Sequence, residues 1–150
     1  MKYVPVFLAC ALTVGFAAAC SSDRSPGRRV INLPGKRADL PYSHGVVLGN
    51  TLYLGGRIGL DPKTGSLPDD LEQEIRLALD GIRATLAEAG MTMDDLVYVT
   101  VYCPDLSLYD EFNRVYRTYF TGEFPARAFV GSGPLLFGGH FEVQGIAVKR

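Results

Sequence analysis

Residues 69–103, DDLEQEIRLALDGIRATLAEAGMTMDDLVYVTVYC, carry the pattern that decides the fold. Leu71, Ile75, Ala78, Leu79, Ile82 and Leu86 recur at helical spacing, so they share one stripe of a helix spanning Asp69 to Ala89, with Gly90 placed for its C-terminal cap. Val97 to Cys103 then reads as a central strand. Its Val97, Val99, Val101 and Cys103 alternate onto one face, and Pro104-Asp105 ends the run.

Working outward, Val46 to Leu48 and Thr51 to Gly55 are β-type runs separated by Gly49-Asn50, a dipeptide suited to a type II′ hairpin. Asp61-Pro62-Lys63-Thr64-Gly65 is turn chemistry. On the other side, Phe112, Val115, Tyr116, Tyr119 and Phe120 make a second helical stripe closed by Gly122. Ala126 to Val130 and Phe141 to Val148 resume β character. The order is ββαβαββ, which predicts an α+β single domain: a mixed sheet with two helices on one face. Leu52-Tyr53-Leu54 and Val99-Thr100-Val101 leave neither sheet face wet, so the face away from the helices is expected to pack against another subunit.

The chain has 150 residues, 47% hydrophobic and 21% charged, enough apolar material for one core and too little charge for a disordered chain. Its 15 basic and 16 acidic residues give a net charge of -1, so no broad positive field awaits a nucleic acid. Met1 and Lys2 precede an uncharged apolar run from Tyr3 to Ala19, the layout of a signal peptide over residues 1–19. Small residues before Cys20 resemble a bacterial lipobox, with Ala17 where Leu is more usual, so Cys20 is expected to be lipidated. An ordinary cleaved signal and a retained anchor are the alternatives, and all three export the domain to the cell envelope or periplasmic side. Residues 20–29 read as the lipidated cysteine and a flexible tether, and residues 30–150 as the folded domain. With Cys10 in the signal and Cys20 lipidated, Cys103 has no disulfide partner. His44 and His140 are the only histidines and neither belongs to a metal-ligand cluster, so no metal is expected.

Among candidate site residues, Arg127 stands in Phe124-Pro125-Ala126-Arg127-Ala128, where Pro stiffens the approach to a strand and small neighbours leave room around the guanidinium. Such an arginine can hold a carboxylate bidentately. Glu142 falls between Phe141 and Val143, so its side chain lies on the face opposite theirs, where it can act as general base toward water. Tyr42 after Pro41 can supply a hydroxyl or a pocket wall, and Asn113 lies on the second helix. Taken singly, each also fits an ordinary structural role.

Together these segments resemble the RidA (YjgF-like) family, from about Pro41 to Arg150. The carrying stretches are Pro41-Tyr42-Ser43-His44-Gly45, Gly55-Gly56-Arg57-Ile58-Gly59 with Asp61 to Gly65, Phe124 to Ala128, and Phe141-Glu142-Val143-Gln144-Gly145-Ile146-Ala147-Val148. The resemblance implies a chorismate-mutase-like fold assembled as a homotrimer around an inner barrel, with sites in the clefts between subunits. It also implies hydrolytic deamination of reactive enamines and 2-imino acids to a 2-keto acid and ammonia, without cofactor. Arg127 matches the carboxylate-binding arginine and Glu142 the water-activating glutamate, while Tyr42, Gly55, Asn113 and Phe129 match substrate-binding positions.

Departures accompany the matches. Archetypal members carry Ser-Gly-Gln where this chain has Gly55-Gly56-Arg57, which loses a hydroxyl and gains a cation. Phe129 replaces a small residue, a change expected to narrow the pocket or favour apolar and aromatic substrates. The loop from Gly131 to His140 differs as well, with covering the site and plain surface connection as its two readings. The alternative function is a non-catalytic trimer that binds small acids at the envelope. A ribonuclease reading fits poorly, because no basic, aromatic-interleaved groove is present.

Overall fold

The computed structural model describes residues 27–150. The expected signal and Cys20 lie outside the described residues.

Eight main elements follow in chain order: β1 (Arg29–Ile31), β2 (Gly45–Leu48), β3 (Thr51–Ile58), α1 (Leu71–Glu88), β4 (Leu96–Cys103), α2 (Tyr109–Tyr116), β5 (Ala126–Gly131) and β6 (Glu142–Val148). They form one mixed sheet in the order β1-β2-β3-β6-β4-β5. Only β4 and β5 are parallel among the paired strands, because α2 carries the chain back between them; the other neighbours are antiparallel.

Helix α1 begins where Asp70 accepts a hydrogen bond from the Glu72 amide at 3.2 Å, and Glu72 and Glu74 place negative charge in the first turn. Its stripe of Ile75, Ala78, Leu79, Ile82 and Leu86 is buried, as its spacing predicts, against Leu52 and Leu54 of β3, Val99 and Val101 of β4 and Val143 of β6. Phe112 and Val115 of α2 join the same cluster, so both helices cover one sheet face. Each large apolar side chain fully buried there contributes roughly 1.5–3 kcal/mol. Gly49 has a φ of 63° and Asn50 a negative one, the sign pattern expected of a type II′ turn.

Three local details differ from expectation. An edge strand, β1, is added before the others: Arg29 and Val30 pair with Val47 and Val46, drawing the end of the expected tether into the sheet. Only its Ile31 is buried, too short a signal for periodicity to register. In β4 the expected core position of Val97 is corrected. Leu96 lies opposite Ala147 and Tyr98 opposite Ile146, so Val97 is the extra residue of a bulge, 46% exposed while Leu96 is buried. The second helical stripe also divides, with α2 ending at Tyr116 and a 3₁₀ turn covering Arg117–Tyr119. There the Tyr119 hydroxyl donates to Asp80 on α1 at 2.9 Å.

The sheet face away from the helices carries Tyr53, Tyr98 and Val130, all exposed in the single chain. Thr100 on the same face is buried.

Candidate active site

Strand register fixes the direction of Arg127. It pairs with Val99, a core residue, so its side chain points toward the helices. Nη2 donates to Asn113 Oδ1 at 2.6 Å, and the guanidinium carbon stands 4.6 Å from the centre of the Tyr116 ring. Tyr109 and Phe129 are each 5.9 Å away. Nη1 is buried and has no partner. The guanidinium is therefore held on an aromatic bed by a neutral amide, with one donor edge unspent. That arrangement suits a carboxylate, because a buried unpaired donor is costly and a charge-assisted pair satisfies it.

An open cleft of about 280 Å³ lies over this arginine, lined by Tyr109, Asn113, Tyr116, Arg117, Phe124, Pro125 and Arg127. Burial pushes the Tyr116 phenol up to about 12, against the opposing pull of Arg127, so it stays a neutral hydroxyl near pH 7. Arg127 and Asn113 are thus brought together. Phe129 packs its ring edge-on against Tyr109 at 5.0 Å and Phe112 at 5.6 Å; it stands behind the cleft and does not line it.

Glu142 opens β6, opposite Ile58 of β3 and Tyr102 of β4. Its neighbours Phe141 and Val143 are buried in the core, so Glu142 projects onto the helix-free face, as its place in the sequence predicts. Its carboxylate lies over Gly56, at the irregular pairing between Leu54 and Arg57; a Cβ on Gly56 would overlap Glu142 Oε1. Gly55 makes the next close approach, its amide donating to His44 O at 2.9 Å, and a Cβ there would stand 2.7 Å from Ser43 O.

Tyr42 is half exposed before β2, with its ring against His44 and the Lys36 ammonium 5.0 Å from its centre. Arg57 turns its guanidinium onto α1 beside Gly81, where its Nε is buried without a partner. The added cation of the Gly55-Gly56-Arg57 stretch therefore does not line the Arg127 cleft. No residue of the Gly131–His140 loop lines that cleft either, and the loop exposes Leu136 and Phe137, the latter at a φ of 60°.

One chain thus separates the expected residues into an Arg127–Asn113 group on the helix face and a Glu142–Gly56 group on the other. Two features escaped sequence reasoning. The aromatic walls Tyr109, Tyr116 and Phe124 share the helical stripe or flank Pro125, a pattern that reads as ordinary core. Glu74 sits on the buried stripe of α1, where a charge is unexpected, and its Oε1 accepts from the amides of His140 at 2.8 Å and Phe141 at 3.3 Å. Its Oε2 is 2.7 Å from His140 Nδ1. Glu74 therefore anchors the segment that leads into β6 and Glu142. Among the described residues no group of three His, Cys, Asp or Glu is gathered to hold a metal.

A mixed sheet layered by two helices in a single domain is the α+β architecture of the RidA/YjgF structures that this chain matches. The Endoribonuclease L-PSP family profile matches residues 35–149, and the chain belongs to that family. It is 37% identical over 113 residues to the 2-iminobutanoate/2-iminopropanoate deaminase of Escherichia coli K12, covering 73% of this chain and 88% of the relative. The crystal structure of the Escherichia coli YjgF gene product superposes with a TM-score of 0.75 at 35% identity, covering 81% of this chain and 99% of that one. Escherichia coli TdcF, solved with bound serine, gives a TM-score of 0.75 at 30% identity, with 81% and 100% covered.

Proposed function

We propose that this protein is a cofactor-independent hydrolase of 2-imino acids and their enamine tautomers, and that it works as a homotrimer with its sites between subunits. The observation that carries the reading is Arg127, fixed by Asn113 through one edge and left with a buried, unpartnered Nη1 beside an open cleft. The curated relatives named as imine deaminases support the reaction.

In the reaction, Arg127 takes the substrate carboxylate and so fixes the adjacent C=N carbon. Glu142 of a neighbouring copy accepts a proton from water as the oxygen adds to that carbon, giving a tetrahedral carbinolamine. The carboxyl group returns the proton to the amine nitrogen and then takes the hydroxyl proton as the C–N bond breaks, so the C=O bond forms and ammonia leaves the 2-keto acid. General-base help of this kind is worth about 10²- to 10⁴-fold. Placing Glu142 on a second subunit follows from the opposed directions of the two side chains, and the exposed Tyr53, Tyr98 and Val130 supply a face for the contact.

The test is hydrolysis of freshly generated 2-imino acids by the purified protein, Arg127→Ala and Glu142→Ala. Acceleration by the wild type, abolished by the first substitution and reduced by the second, is the expected result. Intact trimers that accelerate no imine over buffer contradict it; retained small-acid binding through Arg127 then identifies the non-catalytic envelope trimer.

The residues from Met1 to Ala19 support export, with anchoring through a lipidated Cys20. Radiolabelled palmitate is expected to be incorporated into the wild type and not into Cys20→Ser, and a wild type that takes up no label contradicts the anchor.

A further inference from the structure

The cleft over Arg127 contains a second guanidinium. Arg117, which opens the 3₁₀ turn after α2, lines the same cleft, and no acidic side chain does. Its neighbour on the helix shows the contrast. Arg114 is neutralised by Glu72 and Glu111, each 2.6 Å from its Nη2, whereas Arg117 makes no ion pair among the described residues. Arg127 is equally short of counter-charge, since its partner is the neutral Asn113 amide and its Nη1 is free. Glu123, just before Phe124, also forms no ion pair with either among the described residues.

Two cations therefore face one cleft walled by Tyr109, Tyr116 and Phe124. The cleft is open and Arg117 is exposed, so solvent screens the two cations from each other, yet neither has a counter-charge, and a ligand with two negative charges supplies one at each end. We propose that this cleft is built for the imines of short dicarboxylic amino acids, Arg127 holding the carboxylate beside the C=N carbon and Arg117 the distal carboxylate. The assignment rests on the deaminase reading above. The balanced reaction is unchanged: water adds to the imine carbon, the C–N bond breaks, and the products are ammonia and a 2-keto dicarboxylic acid. Arg117 sets specificity, because it touches the substrate far from the reacting carbon. Its exposure moderates the effect, so the preference is expected to be about two- to fivefold.

The experiment generates imines in place from aspartate and from 2-aminobutyrate with an amino-acid oxidase, and compares kcat/KM for the two in the full chain. The wild type is expected to favour the dicarboxylic imine. Arg117→Ala lowers that ratio by about two- to fivefold, chiefly through KM, and Arg117→Glu lowers it further. Arg114→Ala, which alters a cation outside the cleft, leaves the ratio unchanged. If the wild type hydrolyses the 2-aminobutyrate imine but Arg117→Ala does not move the ratio, the assignment of Arg117 is overturned and the deaminase reading stands. If neither imine is hydrolysed, that reading falls, and calorimetry decides the dianion site by itself. Succinate binding tighter than propionate, and losing that advantage in Arg117→Ala, sustains the site; equal binding of the two overturns it.

Discussion

Arg127 and Glu142 point to opposite faces of one sheet: Arg127 is in register with core-facing Val99, and Glu142 with Tyr102, whose neighbour Val101 is the core residue. β4 lies between the strands that carry them, and its register with each sets the two directions. In the proposed reaction, where the guanidinium holds substrate and the carboxylate activates water, the two would meet across two copies of the chain. The opposed faces and the exposed apolar helix-free face are two consequences of one arrangement.

Gly56 is the residue that lets Glu142 lie flat at the bulge, because any Cβ there would overlap its carboxylate oxygen. Gly56→Ala is expected to displace the carboxylate with little change in stability. A misplacement of about 1 Å can cost about 10²-fold in rate, so kcat for imine hydrolysis should fall on that order while substrate KM stays near the wild-type value. A variant with unaltered kcat would show that the seating of Glu142 over Gly56 is irrelevant to turnover.

Glu74 predicts a stability effect away from the cleft. Its removal in Glu74→Ala leaves the His140 and Phe141 amides without their acceptor, and each unsatisfied buried donor costs about 1–3 kcal/mol. Chemical denaturation should show a loss of roughly 2–4 kcal/mol for the alanine variant, with less for Glu74→Gln, which keeps an acceptor oxygen. A change within about 0.5 kcal/mol, the range of ordinary surface substitutions, would mean that the segment before β6 is held by other contacts.

His44 gives a pH dependence with a definite sign. Burial, aided by Arg57 and Lys36, holds its imidazole below the ordinary value of 6.5, and Nδ1 accepts from the Leu33 amide at 2.8 Å. The folded protein thus binds this proton less readily than the unfolded chain does. Stability from this group is full above the ordinary histidine value, declines as pH falls below it, and levels off once pH is under the folded value. Thermal melts of the wild type should fall in Tm between pH 7.5 and 5.5 more steeply than those of His44→Gln. Parallel pH profiles for the two would remove His44 as the cause.

Much of the layer arrangement is legible in the sequence because α1 and β4 repeat their apolar residues at unambiguous periods. Val97 is not legible, since its alternation is intact and only pairing with β6 reveals the bulge that turns it outward. The motif residues mark where Arg127 and Glu142 stand along the chain. Their opposed directions follow from the parallel β4–β5 register and the antiparallel β4–β6 register, pairings between distant segments that local spacing does not encode. Phe129 illustrates the same limit: a bulky residue near the arginine suggests a pocket wall, yet its ring is taken up by Tyr109 and Phe112. Glu74 looks like a solvated helix glutamate until the β6 approach closes over it.

The most direct test of a site shared between subunits is complementation. Arg127→Ala protein, inactive alone, and Glu142→Gln protein, much reduced alone, are dissociated, mixed in equal amounts and reassembled, and 2-imino acid hydrolysis is measured. If every site takes its arginine from one copy and its glutamate from the next, random assembly restores both groups in about one-quarter of sites, so about one-quarter of wild-type activity should return. Mixed oligomers that form but are no more active than their parents would contradict the account, because they would place both groups on the same chain or leave one of them out of the reaction.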